Sequence, residues 1–314
     1  MHATQRFVLA LVLLAPLLAV SQEQGRQMQH ATVNGAELAY EVAGQGEPVL
    51  LIHGGGISDA YVSMLDQPAL AKYQLIAYHR RGTGQSSDGE GPNPTGLSNE
   101  IADAVGLLQH LDINSAHVVG HSGGGRIALA LTIDAPAMVH SLVLMEPARL
   151  QTDDFGIDDL SEPSRTIFAD RSRKQQEMVQ AMMAQRAEQA VQPTPLEQAN
   201  GFMTWLVGAD WEARLSPLIP DVREQVVRTR TRERGERGVR ETRKAADLEE
   251  LTQPVLWIWS DEPMGGSDIT FALYDALIPQ MEVQTVSGVR HALQILTPEP
   301  VAEVIAEFLE QHPM

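Results

Sequence analysis

The most informative absence in this sequence of 314 residues is cysteine, of which it has none. The chain can therefore form no disulfide, no thiolate nucleophile and no thiolate metal site. Basic residues are also scarce, with 23 Lys and Arg against 41 Asp and Glu, and the net charge is −18. Such a charge repels phosphate backbones and anionic lipid surfaces, which argues against nucleic acid as a partner.

The apolar run near the start of the sequence is short. It extends from Phe7 to Val20 without a charge, which is less than the roughly 20 residues needed to span a bilayer. An arginine precedes it, and Ala19 and Ser21 are small residues at positions that suit signal-peptidase cleavage. We therefore expect a signal peptide over residues 1–21, export to the periplasm or the medium, and no stable membrane insertion after cleavage.

Beyond this segment, apolar runs of strand length alternate with helical patterns. Asn34-Gly35 between two short extended runs predicts a tight hairpin. Strand-like runs lie at 48–53, 73–79, 116–121, 141–146, 254–262 and 281–286, and helical patterns lie at 98–111, 124–134, 268–277 and 298–311. Alternation of this kind predicts an α/β fold, with a mostly parallel sheet flanked by helices on both faces.

The alternation stops at Pro147 and resumes near residue 254. The residues between these points have helical, amphipathic patterns interrupted by prolines, and no convincing strand. We therefore expect a core in two parts, residues 30–147 and 251–314, with a helical cap inserted at 148–250.

One short stretch, Gly120-His121-Ser122-Gly123-Gly124, interrupts an apolar run that resumes as a helix. It matches the G-x-S-x-G pattern, in which small neighbours permit a sharp strand-to-helix turn that exposes the serine hydroxyl. A purely structural turn or a phosphate-binding loop is the alternative, but the stretch lacks the lysine of a P-loop. Ser122 is therefore the candidate nucleophile.

A second glycine cluster follows the strand-like run at 48–53 and contains Gly55. An ester hydrolase needs two backbone N–H groups that converge on the developing oxyanion, one after the nucleophile and one in a loop after an earlier strand. Gly123 and Gly55 are the candidates. A glycine-rich turn without function is the alternative for Gly55.

Together, the segments "LIHGGG", "YHRRGTGQS", "HVVGHSGGG", "LVLMEPA", "PVLWIWSDEP" and "VRHALQ" resemble the α/β-hydrolase superfamily. The resemblance starts near residue 31 and excludes most of the cap. It implies an α/β-hydrolase fold with an eight-stranded core, a Ser–acid–His triad and usually a lid. The sequence departs from the common pattern at His79, where relatives usually carry aspartate.

The chain order that this resemblance implies assigns the catalytic histidine. Such a residue must follow Ser122 and lie in a loop after the final strand, and His291 meets both conditions. His291 is therefore the candidate general base and acid.

The triad acid has more than one candidate. Most relatives place an aspartate just past the seventh strand, where "WSDEP" offers Asp261 or Glu262 only in approximate alignment. A minority use a glutamate at the end of strand six, which is the position of Glu146. We favour Glu146 over Asp261, with Asp268 third.

These assignments predict an exported serine hydrolase that cleaves a small or medium carboxylic ester or lactone through an acyl-enzyme, with no metal or organic cofactor. A cofactor-free perhydrolase or an aminopeptidase of the same fold is the alternative within the class. A catalytically silent binding protein is the alternative from another class.

Overall fold

The computed structural model describes residues 27–89, 95–188, 193–235, 241–262, 267–288 and 290–314. The predicted signal peptide lies outside these residues. Eight strands form one sheet in the order β1-β2-β4-β3-β5-β6-β7-β8. Their bounds are β1 Gln29–Val33, β2 Ala36–Ala43, β3 Pro48–Ile52, β4 Gln74–Tyr78, β5 Ala116–His121, β6 Val139–Met145, β7 Val255–Ser260 and β8 Met281–Val286.

The sheet is mostly parallel, because only β2 pairs antiparallel with its neighbours β1 and β4. The predicted hairpin joins β1 to β2. Its two turn residues, Asn34 and Gly35, have φ of 47° and 69°, the left-handed conformation that this type of two-residue turn requires. The predicted α/β-hydrolase fold with eight strands is confirmed.

Ten α-helices are described. They are α1 Leu97–His110, α2 Gly123–Asp134, α3 Ser164–Glu188, α4 Pro195–Leu206, α5 Trp211–Leu215, α6 Val222–Gly235, α7 Ala245–Glu249, α8 Ser267–Leu277, α9 Leu293–Leu296 and α10 Pro298–Gln311. Helices α3 to α7 lie between β6 and β7 in the chain, where the sequence predicts the cap.

Two apolar clusters cover the two faces of the sheet. Alternate residues of a strand point to opposite faces, so Leu50 and Ile52 of β3 belong to one cluster, with α1, α2 and α8. Val49 and Leu51 belong to the other, which α10 covers. Both faces of the sheet are thus covered, which leaves the carboxyl ends of its parallel strands as the place for a ligand site.

A third cluster joins the cap to the core. Met203 of α4 and Trp211 of α5 are buried against Ile57, which follows β3, and Ile295, which follows β8. The cap therefore packs on the loops at the carboxyl ends of these strands, where ligands of open α/β sheets bind.

Candidate active site

Ser122 occupies the sharp turn between β5 and α2. Its φ of 52° and ψ of −119° lie in a region that non-glycine residues rarely adopt and that costs about 1–3 kcal/mol. The turn is held by Ser122 N–H, which donates to Met145 O at 3.0 Å, and by Ala148 N–H, which donates to Ser122 O at 2.7 Å. The end of β6 thus fixes the strained backbone.

Close backbone approaches explain why glycines surround Ser122. A Cβ on Gly124 would lie 2.0 Å from Ile52 O, and a Cβ on Gly54 would lie 2.9 Å from Ser122 Cβ. No side chain fits at either position without movement of the backbone. The glycines that defined the motif therefore let α2 start directly above β3.

His291 forms a buried pair with Glu146. The distance between His291 Nδ1 and Glu146 Oε2 is 2.6 Å, and the two residues are 2% and 1% exposed. An ionised carboxylate only accepts hydrogen bonds, so it holds the proton of a neutral imidazole on Nδ1. Nε2 then carries the lone pair that a general base needs.

Ser260 at the end of β7 fixes the other oxygen of Glu146. Its N–H donates to Glu146 Oε1 at 2.9 Å, and its hydroxyl donates to the same oxygen. Glu146 also has a positive φ of 40°. Among the described residues, the other non-glycine positions with positive φ are Asn34, Asp112 and Ser122, and Asn and Asp tolerate this conformation best.

The structure does not join Ser122 to His291 by a hydrogen bond. His291 Nε2 is buried, and no atom of the described residues is its partner. The serine hydroxyl therefore does not bond to this nitrogen, although its neighbour His121 lies beside the imidazole, with ring centroids 4.6 Å apart and the rings tilted by 46°. An apo site commonly shows such a loose nucleophile–base contact.

His121 ties the turn at Ser122 to the loop that carries His291. The distance from His121 Nε2 to His291 O is 2.7 Å, and Gln294 Nε2 lies 3.1 Å from His121 Nδ1. Burial lowers the pKa of His121 well below its ordinary value, and the nearby His291 lowers it further. A neutral His121 therefore donates from Nε2 to the carbonyl and accepts at Nδ1 from the amide.

The two candidate oxyanion amides lie close together. Gly55 N is 3.7 Å from the position of a Cβ on Gly123, and Arg80 Nη1 is 3.6 Å from the same position. Gly123 begins α2, so the helix leaves its N–H without an internal partner. This end of a helix also favours negative charge.

A buried ion pair holds the loop of Gly55. Arg80 pairs with Glu100 of α1, and its Nη1 donates to His53 O and Gly54 O, each at 3.4 Å. His53 Nδ1 lies 2.6 Å from Gly54 O, and its Nε2 accepts from Arg80 N–H at 3.1 Å. Burial, followed by the charge of Arg80, lowers the pKa of His53 well below its ordinary value, which fits this neutral tautomer.

The other candidate acids have different partners. Asp261 accepts from Gly288 N–H at 2.8 Å, Glu262 pairs with Arg290, and Asp268 pairs with Arg171. Glu146 is the candidate acid that the structure brings to His291 Nδ1.

A chain of polar contacts links the cap to the loop after β3. Gln225 of α6 accepts from Ser58 N–H at 3.0 Å and from Asp59 N–H at 3.3 Å, and its amide donates to Asp59. Asp59 also lies 2.7 Å from His79 Nε2, while His79 Nδ1 accepts from Gln85 N–H at 3.0 Å. His79 therefore has a structural role at the position where relatives carry aspartate.

Three site residues were not singled out from the sequence: Ser260, Gln294 and Gln225. Ser260 adjoins Asp261 in "WSDEP", a segment in which the sequence pattern drew attention to the acidic residues only. Gln294 lies one helical turn after His291 in "VRHALQ", a spacing that places two side chains near each other. Gln225 lies in a polar stretch that carries no comparable signal.

In the described part of the chain, no cluster of three or more histidine, aspartate or glutamate side chains is arranged to hold a metal ion. Nor does that part contain a helix both long and apolar enough to cross a membrane.

A strained serine turn at the edge of a parallel sheet, with a buried His–Glu pair beside it, is typical of α/β enzymes that have a nucleophile elbow. The family model for the alpha/beta hydrolase fold matches residues 47–298. The chain belongs to this family.

Individual relatives match less of the chain. An uncharacterized hydrolase, YcgS of Bacillus subtilis, is 32% identical over 123 residues, which are 38% of this chain and 41% of that protein. The match thus spans less than half of that relative.

Solved structures match the fold over most of its length. Carboxylesterase CesB from Bacillus subtilis superposes with a TM-score of 0.66 at 17% identity, covering 90% of this chain and 91% of that one. The enol-lactonase from Burkholderia xenovorans gives 0.65 at 17% identity, covering 90% and 100%.

Proposed function

We propose that this protein is a serine hydrolase that cleaves a small or medium carboxylic ester or lactone through an acyl-enzyme. The observation that carries the proposal is the Glu146–His291 pair, which leaves a buried imidazole nitrogen without a partner next to the strained turn of Ser122. The names of the esterase and lactonase of the same fold support this substrate class.

The first half of the proposed reaction forms the acyl-enzyme. The Ser122 hydroxyl turns toward His291 Nε2 and transfers its proton there as Oγ bonds to the substrate carbonyl carbon. The carbonyl oxygen becomes an oxyanion that the N–H groups of Gly55 and Gly123 stabilise. Collapse of this intermediate breaks the ester bond, and the proton passes from Nε2 to the leaving alkoxide.

The second half repeats these steps with water. His291 Nε2 takes a proton from water as the hydroxide oxygen bonds to the acyl carbon. Collapse then breaks the bond to Ser122 Oγ, which recovers the proton and releases the acid. Throughout both halves, Glu146 stabilises the imidazolium without becoming protonated.

The test compares the protein with its Ser122→Ala variant on p-nitrophenyl butyrate and on a fluorophosphonate probe. We expect hydrolysis and a single adduct on Ser122 in the parent, and loss of both in the variant with an unchanged circular dichroism melt. Activity retained by the variant would refute the assignment. A folded parent that neither reacts with the probe nor turns over the ester would indicate a silent binding protein.

We further propose that the protein is exported, because the first 21 residues have the charge, apolar run and small residues of a signal peptide. Expression of the full chain in a Gram-negative host, followed by fractionation and N-terminal sequencing, tests this. A mature protein starting near Gln22 outside the cytoplasm is the expected result. An unprocessed protein confined to the cytoplasm would contradict it.

A further inference from the structure

Two arginines near the Ser122 turn have no acidic partner. Arg126 lies on α2, where its N–H donates to Ser122 O at 3.2 Å, and Arg149 follows Ala148, whose N–H donates to the same oxygen. Within the described residues, the structure records no ion pair or hydrogen bond for either guanidinium, and Arg126 Nε is buried without a partner.

Other arginines of the core are paired. Arg80, Arg81 and Arg243 contact Glu100, Asp103 and Asp134 respectively, and their side chains are 15% exposed or less. A buried donor without a partner costs about 1–3 kcal/mol. In a protein with a net charge of −18, two partly buried cations without an acid therefore need another explanation.

Tyr274 of α8 contacts the backbone directly after Arg149 and offers a further donor. Its oxygen accepts from Leu150 N–H at 2.7 Å, so its own hydroxyl proton remains available to donate. Burial raises the pKa of Tyr274 to about 12, against the opposing effects of Leu150 N–H, Arg149 and Arg126. Burial also lowers the pKa of Arg149, and the nearby Tyr274 opposes this effect.

These groups lie at the same edge of the sheet as the nucleophile. Arg149 follows the carboxyl end of β6, and Arg126 lies in the first turn of α2, four residues after Ser122. A substrate attacked by Ser122 could therefore place a substituent of its acyl chain between them.

From this geometry we infer that the protein prefers substrates whose acyl chain ends in a carboxylate, which Arg126, Arg149 and the Tyr274 hydroxyl bind. Guanidinium groups recognise carboxylates through short, charge-assisted hydrogen bonds. The inference rests on the proposed ester hydrolysis and names its substrate class.

The test uses two esters that differ only in the terminal group, mono-p-nitrophenyl adipate and p-nitrophenyl hexanoate. Rates in the Ser122→Ala variant are subtracted as the blank. The measured quantity is kcat/KM for the adipate ester divided by kcat/KM for the hexanoate ester. A general loss of activity or stability lowers both values equally and leaves this ratio unchanged.

We expect a ratio above one in the parent, which falls by about tenfold or more in Arg149→Gln and in Arg126→Gln, the effect of one lost charge-assisted hydrogen bond. Arg149→Lys keeps the charge and retains an intermediate ratio. Arg165→Gln removes the same charge from an exposed site paired with Glu162, and leaves the ratio unchanged.

If a variant fails to fold, inhibition of the parent by the free acids tests the inference instead. Free adipate should inhibit hydrolysis of p-nitrophenyl hexanoate more strongly than free hexanoate does. A parent ratio below one, or a ratio unchanged in both glutamine variants, overturns the inference. Hydrolysis of hexanoate and probe labelling at Ser122 would survive that outcome, so a failure of the carboxylate site is distinguishable from a failure of the proposed hydrolase.

Discussion

Replacing Glu146 by glutamine tests the assignment of the triad acid most directly, because the surroundings dictate how the new amide must lie. Both the N–H and the hydroxyl of Ser260 donate to Glu146 Oε1, so the glutamine carbonyl must stay on that side. The NH2 group then faces His291 Nδ1, where the carboxylate oxygen lies at 2.6 Å.

This arrangement reverses the tautomer of His291. An NH2 group only donates, so Nδ1 must accept from it and the imidazole proton moves to Nε2. An Nε2 that carries a proton cannot take one from Ser122. An amide in the acid position lowers kcat by about 10⁴ in such a triad, which corresponds to about 5.4 kcal/mol in activation free energy.

The assay is the steady-state kcat for p-nitrophenyl butyrate, with the rate of fluorophosphonate labelling as a second readout of the nucleophile. Asp261→Asn is the matched control, because it makes the same chemical change in the next residue after Ser260. Asp261 accepts from the backbone N–H of Gly288, which follows β8, whereas Glu146 contacts His291 Nδ1, so this change should lower kcat by no more than about tenfold.

Two results would refute this reasoning. One is a Glu146→Gln protein that folds normally and keeps kcat within tenfold of the parent. The other is a collapse of kcat in Asp261→Asn with little change in Glu146→Gln, which would transfer the acid's role to Asp261.

Three further predictions concern packing, pH and the cap. In a urea titration, Gly124→Ala should lower the free energy of unfolding by about 3 kcal/mol or more, because the new Cβ would lie 2.0 Å from a carbonyl oxygen of β3. Gly201→Ala on α4, where the new Cβ would meet no atom within 4 Å, should be neutral or stabilising in the same titration. The pKa values of His53 and His121 are lower in the folded protein than in the unfolded chain. Their contribution to the free energy of unfolding is therefore complete above about pH 6.5 and decreases as the pH drops, by up to about 1.4 kcal/mol per pH unit for each histidine. Equal stability at pH 7.5 and 5.5 would contradict this. Gln225→Leu should remove the polar contacts between α6 and the loop after β3 and so lower the melting temperature. For p-nitrophenyl butyrate, this variant should lower kcat more than it changes KM. A loss of stability with unchanged kcat would show that the position of the loop does not depend on the cap.

The turn at Ser122 was predictable because local sterics alone specify it. The glycines around Ser122 are required by approaches that any strand-to-helix turn of this kind must make, such as Gly124 against Ile52 O. The α/β alternation was predictable for a similar reason, since strands buried on both faces have continuous apolar sequences.

The choice between Glu146 and Asp261 depended on register, which the sequence does not display. Met145 of β6 lies beside Ile258 of β7, so Glu146 at the end of β6 comes level with the last residues of β7. Ser260 there turns toward Glu146, while Asp261 continues past the end of β7 and reaches Gly288 after β8. A shift of one residue in this pairing would have exchanged the side chains that face Glu146.

The cap contacts were equally hidden, because helical periodicity predicts that a helix forms but not what its polar side chains meet. Gln225 is the clearest instance, since its partners Ser58 and Asp59 are more than 160 residues away in the chain. Arg126 and Arg149 are similar, since nothing in the sequence distinguishes an arginine with an acidic partner from one without.

The histidine at position 79 follows from how the cap is attached. Although burial raises the pKa of Asp59, the hydrogen bonds from His79 and Gln225 outweigh this effect and hold the pKa below its ordinary value, so Asp59 is ionised. An aspartate at position 79 would set a second carboxylate against Asp59, whereas an imidazole can donate to it from Nε2 and still accept from Gln85 N–H at Nδ1.

The same loop that Gln225 holds at Ser58 and Asp59 carries Gly55 a few residues earlier, and a Cβ on the intervening Gly56 would lie 3.3 Å from the ring of Phe202 on α4. Two cap helices therefore contact the loop that supplies one of the proposed oxyanion amides. Because protein interiors are close-packed, a cap that lifts to admit substrate must release these contacts. Under the proposed function, a displacement of these two cap helices would therefore also shift the loop that carries the Gly55 N–H.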